Sequence, residues 1–132
     1  MTTMIAACFG GLSSALMSWL FSEEKLPEAE HIANGVLGGL VAITAGCAAV
    51  STASAAAIGL VAGCVVFGAT LLLERVFKLD DVVGAVPVHG CCGAWGTLAT
   101  GLFMTEAALA DAGVTRWQQV GPQAIGVAAG FV

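Results

Sequence analysis

The chain is 132 residues long, 58% apolar and 10% charged, whereas an ordinary soluble domain is about 45–50% apolar and about 25% charged. Its four basic and nine acidic residues are clumped, leaving Met1–Ser22, Ile32–Leu73 and Val82–Thr105 free of Asp, Glu, Lys and Arg, each run longer than the roughly 18 residues that mark a membrane span. A soluble enzyme, a disordered tail and a disulfide-stapled secreted domain are excluded, and so few Lys and Arg leave no footprint for nucleic acid.

At about 1.5 Å rise per residue, some 20 residues cross a 30 Å hydrocarbon core, so the length allows four spans and part of a fifth. The first is predicted over about 4–21. It closes at Ser22-Glu23-Glu24-Lys25-Leu26-Pro27, where charge and proline stop a membrane helix. Ile32–Leu73 is twice what one crossing needs, and Ser51-Thr52-Ala53-Ser54 interrupts it. It therefore divides into spans over 32–50 and 55–73 joined by a very short turn. Residues 74–81 make a polar loop, the fourth span covers about 82–104, and 106–119 is the longest polar connection. The apolar stretch Val120–Val132 gives about 20 Å of helix, short of a bilayer. Residues 1–132 thus read as one partial domain of all-α class, a polytopic transmembrane helical bundle. No positive segment precedes the first apolar run, so no cleaved signal peptide is expected.

Lys25, Arg75 and Lys78 follow spans one and three, and only Arg116 follows spans two and four. The positive-inside rule then places loops 22–31 and 74–81 in the cytoplasm. Gly35/Gly39, Gly59/Gly63 and Gly126/Gly130 repeat four apart, and Gly90, Gly93 and Gly96 three apart. Small residues on one face let helix backbones approach closely in lipid. Cys8, Cys47, Cys64, Cys91 and Cys92 all lie in apolar runs and are odd in number, which suits packing rather than a disulfide framework.

His89 is the one ionisable residue deep in a span, about 10 Å along its helix counting from Val82. A charge near mid-membrane costs some 2.5–3.5 kcal/mol on insertion scales, so its imidazole is expected to stand uncharged and to face a bundle interior, a water path or a polar partner. Cys91 and Cys92 beside it invite a metal reading, but helix neighbours one apart diverge by about 100° and no second histidine or carboxylate is near. Neither a metal nor a cofactor is expected. Asp80 and Asp81 precede the fourth span, where carboxylates complement a helix start. Thr44 by itself is expected to bond back to its own helix. Trp95, deep in the fourth span, reads as packing.

Two stretches carry a resemblance: Asp80-Asp81-Val82-Val83-Gly84-Ala85-Val86-Pro87-Val88-His89-Gly90-Cys91-Cys92-Gly93-Ala94-Trp95-Gly96-Thr97-Leu98-Ala99-Thr100-Gly101-Leu102-Phe103, and Ala33-Asn34-Gly35-Val36-Leu37-Gly38-Gly39-Leu40-Val41-Ala42-Ile43-Thr44-Ala45-Gly46-Cys47. Both resemble the ammonium transporter family, the Amt/Mep/Rh proteins. The resemblance implies helices seven to ten and part of eleven of an eleven-helix subunit, the second inverted-repeat half of that fold. It implies a homotrimer in the plasma membrane, ammonium or ammonia as substrate in a narrow hydrophobic pore, and docking of a P-II regulatory protein in the full-length family context. By this match His89 is the second of two pore histidines, Thr44 stands near the pore, and Asp81 belongs to the acidic pair ahead of the pore helix; Gly90, Gly93 and Trp95 are read as structural from their packing chemistry. The chain departs from the family at Val82, where proline is usual, and at Cys91, where an aliphatic residue is common. The first pore histidine, the outer aromatic site and the fifth-helix aspartate have no counterpart in it. The rival reading is a non-transporting membrane module, an ammonium sensor segment or an inert truncated fragment.

Overall fold

The structure is a computed structural model describing residues 1–21 and 26–130. Residues 22–25, with the Lys25 charge used for orientation, and the last two residues of the incomplete fifth span lie outside the described residues. The fold is helical: α1 (Thr2–Phe21), α2 (Ala29–Thr44), α3 (Thr52–Leu72) continuing as a π-helical turn (Leu73–Phe77), a π-helical segment (Val86–Cys91) continuing as α4 (Cys92–Phe103), α5 (Glu106–Ala112) and α6 (Arg116–Gly130). Among the described residues two helices, Thr2–Phe21 and Thr52–Phe77, are long and apolar enough to cross a membrane.

Small residues bring the first three helices together. A methyl group added at Gly39 of α2 or at Gly59 of α3 would collide with the same backbone carbonyl, that of Ala6 on α1. One turn on, Gly35 and Gly63 meet the Gly10 carbonyl in the same way. Lipid tails are as apolar as the side chains, so association in a membrane rests on such close van der Waals contact. The core that results is built of Ala6, Ala42, Ile43, Ile58, Ala62, Val66, Cys92 and Ala99. α4 joins it through Gly96, where a methyl would strike the backbone of Ala42. Two buried hydroxyls of α1 reach across to the start of α2: Ser14 donates to the His31 carbonyl at 2.7 Å, and Ser18 accepts the Glu28 N–H at 3.1 Å.

Several boundaries differ from those predicted. α2 stops at Thr44 and not near Val50. Gly46 lies against Thr100 of α4, and the following residues are stitched elsewhere: the Thr2 hydroxyl donates to the Cys47 carbonyl at 2.7 Å and the Thr105 N–H to the Ala49 carbonyl at 2.9 Å. Ser51 then caps α3 by accepting the Ser54 N–H at 3.2 Å. α3 outruns its predicted end because the π turn carries it to Phe77, where Lys78 adopts a left-handed conformation with φ 53°. The predicted connection 106–119 contains α5, which Thr105 caps at one end and Gly113, φ 66°, ends at the other. α6 begins at Arg116, four residues ahead of the predicted fifth span, and none of its described residues is buried.

Candidate functional site

The fourth span does not start at Val82. Val82 and Val83 form an exposed turn, and helical backbone begins at Ala85, so His89 stands four residues from its start. The first N–H groups of a helix lack intrahelical partners, and here each is accounted for. Asp81 accepts the Ala85 N–H on Oδ1 at 3.0 Å and the Val86 N–H on Oδ2 at 2.8 Å. Pro87 has no N–H to satisfy, and Val88 donates to the Gly84 carbonyl at 3.0 Å. The missed signals were Pro87, favoured in a first helical turn, and Gly84, whose φ of 63° breaks the chain ahead of it. Asp80 takes no part in this cap. It borders a shallow surface depression with Glu74, Lys78 and Leu79.

His89 is exposed on a π-helical turn, a geometry found mostly as single turns inside α-helices and frequent at functional sites. It lines an open groove of about 470 Å³ with Gly90, Ala94 and Thr97 on one wall and Gly126, Val127 and Gly130 of α6 on the other. Among the described residues it has no hydrogen-bond partner. Of its cysteine neighbours, Cys92 is buried against α3, its Sγ donating to the Ala62 carbonyl at 3.4 Å, and Cys91 is partly exposed. No group of three or more His, Cys, Asp or Glu that could hold a metal ion occurs among the described residues.

The groove depends on glycine at two places. α6 crosses α4 where Gly101 meets Val120, a methyl at Gly101 falling 3.1 Å from the Val120 Cα. Beyond that crossing the helices separate. Gly126 and Gly130, predicted to seat a neighbouring helix, would each carry a methyl group with nothing within 4 Å of it among the described residues, and the same holds for Gly93. Arg116 fastens the crossing by bonding the Leu102 carbonyl and, at 2.6 Å, Glu106 Oε1.

The other predicted residues are dispersed. Thr44 is exposed and donates to the Leu40 carbonyl at 2.7 Å. Gly38 stands level with Cys92, and Ala42 with Gly96, where α2 and α4 pack, which puts Thr44 about 14 Å further along the bundle than His89. The structure does not bring the two together. Trp95 packs edge-on against Phe103 and donates its indole N–H to the Ile58 carbonyl at 3.2 Å, tying α4 to α3. Sequence reasoning passed over His31, which lies at the edge of its apolar run. Its ring packs edge-on to Phe67 with centroids 5.0 Å apart, its Nε2 is 3.6 Å from Glu28 Oε2, and its Nδ1 is buried without a partner.

Comparison with known proteins gives a consistent likeness. The model of the Ammonium Transporter Family matches residues 1–132. A Synechocystis protein assigned as an ammonium transporter is 48% identical over 104 residues, covering 79% of this chain and 23% of its own. A solved structure named Sensor Amt Protein superposes with a TM-score of 0.88 at 38% identity, over 98% of this chain and 32% of that one. The crystal structure of Saccharomyces cerevisiae Mep2 gives a TM-score of 0.83 at 29% identity, over 97% and 30%. The chain spans less than a quarter of the length of the Synechocystis relative and of other curated relatives it matches, and about a third of the two solved structures.

Proposed function

This chain belongs to the ammonium transporter family, a family of membrane transporters and not of enzymes, and from that membership we propose that it supplies the C-terminal part of an ammonium pore. Its helices α1, α2, α3 and α4 stand for the seventh to tenth of the family fold and α6 for part of the eleventh, the second inverted-repeat half. The observation that carries this reading is the open groove at His89: an imidazole without a partner among the described residues, on a π-helical turn, between two glycine-bearing helices. Such a groove suits completion by further helices.

In the complete pore His89 is a substrate-lining residue and Thr44 stands nearer the other end. Stripping an ammonium ion into an apolar pore is prohibitive, so the substrate passes as ammonia and its proton moves separately. An imidazole has one donating and one accepting nitrogen, and can bond ammonia either way or relay that proton. The assembly is a homotrimer in the plasma membrane with loops 22–31 and 74–81 cytoplasmic, the face on which a P-II protein docks.

A chimera tests the reading. Residues 1–130 are exchanged for the matching part of a related transporter and the product is expressed in a strain lacking ammonium uptake. Restored growth on limiting ammonium is expected. An expressed, membrane-inserted chimera without uptake overturns it. A sensing role is the second reading, favoured by the likeness to the sensor structure, and it predicts that same outcome of insertion without flux.

A further inference from the structure

We propose that Asn34 of α2 is a positioning residue for the segment that carries His89, and that it acts through Gly84. Gly84 adopts φ 63°, and a Cβ there would lie 2.7 Å from Asn34 Nδ2 and 3.2 Å from its Cγ. The amide of Asn34 therefore rests against the bare Cα of Gly84 with no side chain between them. Gly84 is the point from which the His89 segment is built: its N–H donates to the Asp81 carbonyl at 2.9 Å and its carbonyl accepts the Val88 N–H at 3.0 Å. Val88 and Pro87 are themselves buried, and α2 packs along this segment.

Asn34 can serve as a wall because its own helix is fixed. The next residue, Gly35, is seated on Ser14 and Gly10 of α1 with no room for a methyl group. Asn34 is 6% exposed and makes no hydrogen bond among the described residues. The contact is consequently one of shape: side-chain volume at position 34 holds the Asp81–Gly84 turn, and the turn sets where His89 points. That this matters for transport rests on the pore reading above, whereas the positioning does not.

The test uses the full chain in detergent micelles. Histidine side chains are labelled for nuclear magnetic resonance, and His31→Gln assigns the two imidazole signals. In a background lacking Cys8, Cys47 and Cys64, the alkylation rate of Cys91 reports the same segment. Asn34→Ala is expected to shift the His89 signals and raise Cys91 alkylation by about threefold or more through local opening, with helical circular dichroism unchanged. Asn34→Leu, which has the same branched shape without polarity, restores both. The proposal is overturned if Asn34→Ala moves neither readout, or if Asn34→Leu behaves like alanine. Should Asn34→Ala fail to fold, Asn34→Ser carries the same two outcomes. Neither readout depends on flux, so a failure of the pore reading leaves this result standing, and the reverse.

Discussion

The Asp81 carboxylate holds the backbone N–H of Val86 at 2.8 Å while its other oxygen holds that of Ala85, so one side chain fixes the start of the helix that bears His89. Losing an N-cap costs about 0.5–2 kcal/mol. Asp81→Ala is expected to fall in that range and to speed amide hydrogen exchange at Ala85 and Val86 by about tenfold, each 1.4 kcal/mol being a factor of ten. Asp81→Asn keeps one acceptor oxygen and falls between. Equal exchange in all three proteins counts against the cap.

The packing of α1 against α2 and α3 predicts an asymmetry among glycines. Gly39→Ala and Gly59→Ala each push a methyl into the Ala6 backbone, and overpacking of this kind costs roughly 1–3 kcal/mol. Gly68 on α3 has open space around it among the described residues, so Gly68→Ala is expected to gain up to about 1 kcal/mol of helix propensity. Thermal or denaturant unfolding in detergent reads the difference. Destabilisation by Gly68→Ala as large as that by Gly39→Ala contradicts the arrangement.

What the sequence discloses here follows from how local each determinant is. Charge-free runs mark apolar helices without reference to anything distant, and Gly35/Gly39 and Gly59/Gly63 find their partner because α1 offers small residues opposite. The same spacing at Gly126/Gly130 finds none among the described residues, since spacing states what a helix face permits and not what lies across from it. The end of α2 is hidden for a similar reason. Ala45–Val50 is as apolar as the helix before it, and its turn is held in part by bonds to Thr2 and Thr105, remote in sequence. At the site, His89 stands out as an ionisable residue in an apolar run, whereas the groove beside it exists only because α6 crosses α4 at Gly101.

Orientation has its own test. With Cys8, Cys47 and Cys64 replaced, Lys78→Cys is expected to react with an impermeant thiol reagent only after cells are opened, and Arg116→Cys in intact cells, because Arg75 and Lys78 favour the cytoplasmic side. The Arg116 change also releases the Leu102 and Glu106 contacts. An exposed ion pair of this kind is worth about 0–1 kcal/mol, so the bundle tolerates it. Labelling of position 78 from outside reverses the assignment.

The sharpest expectation concerns His89 in a complete transporter. The residue lies on a turn whose backbone bonds are closed by Asp81 and Gly84, and among the described residues its side chain takes no part in the core and lines the open groove. Removing the imidazole therefore leaves the packing of Pro87, Val88 and Cys92 untouched. Alanine is also the best helix former, and His89→Ala is expected to change thermal stability by no more than about 0.5 kcal/mol, as for surface substitutions. The loss should fall on function instead, because the two imidazole nitrogens are what can bond ammonia and carry its proton. Flux, or discrimination of ammonium against potassium, is expected to drop by about tenfold or more, in line with the usual weight of a positioned acid–base group. Measured uptake and selectivity unchanged from the parent, with normal expression, would make His89 a residue without a part in conduction, and the groove would then be only the seat of a neighbouring helix.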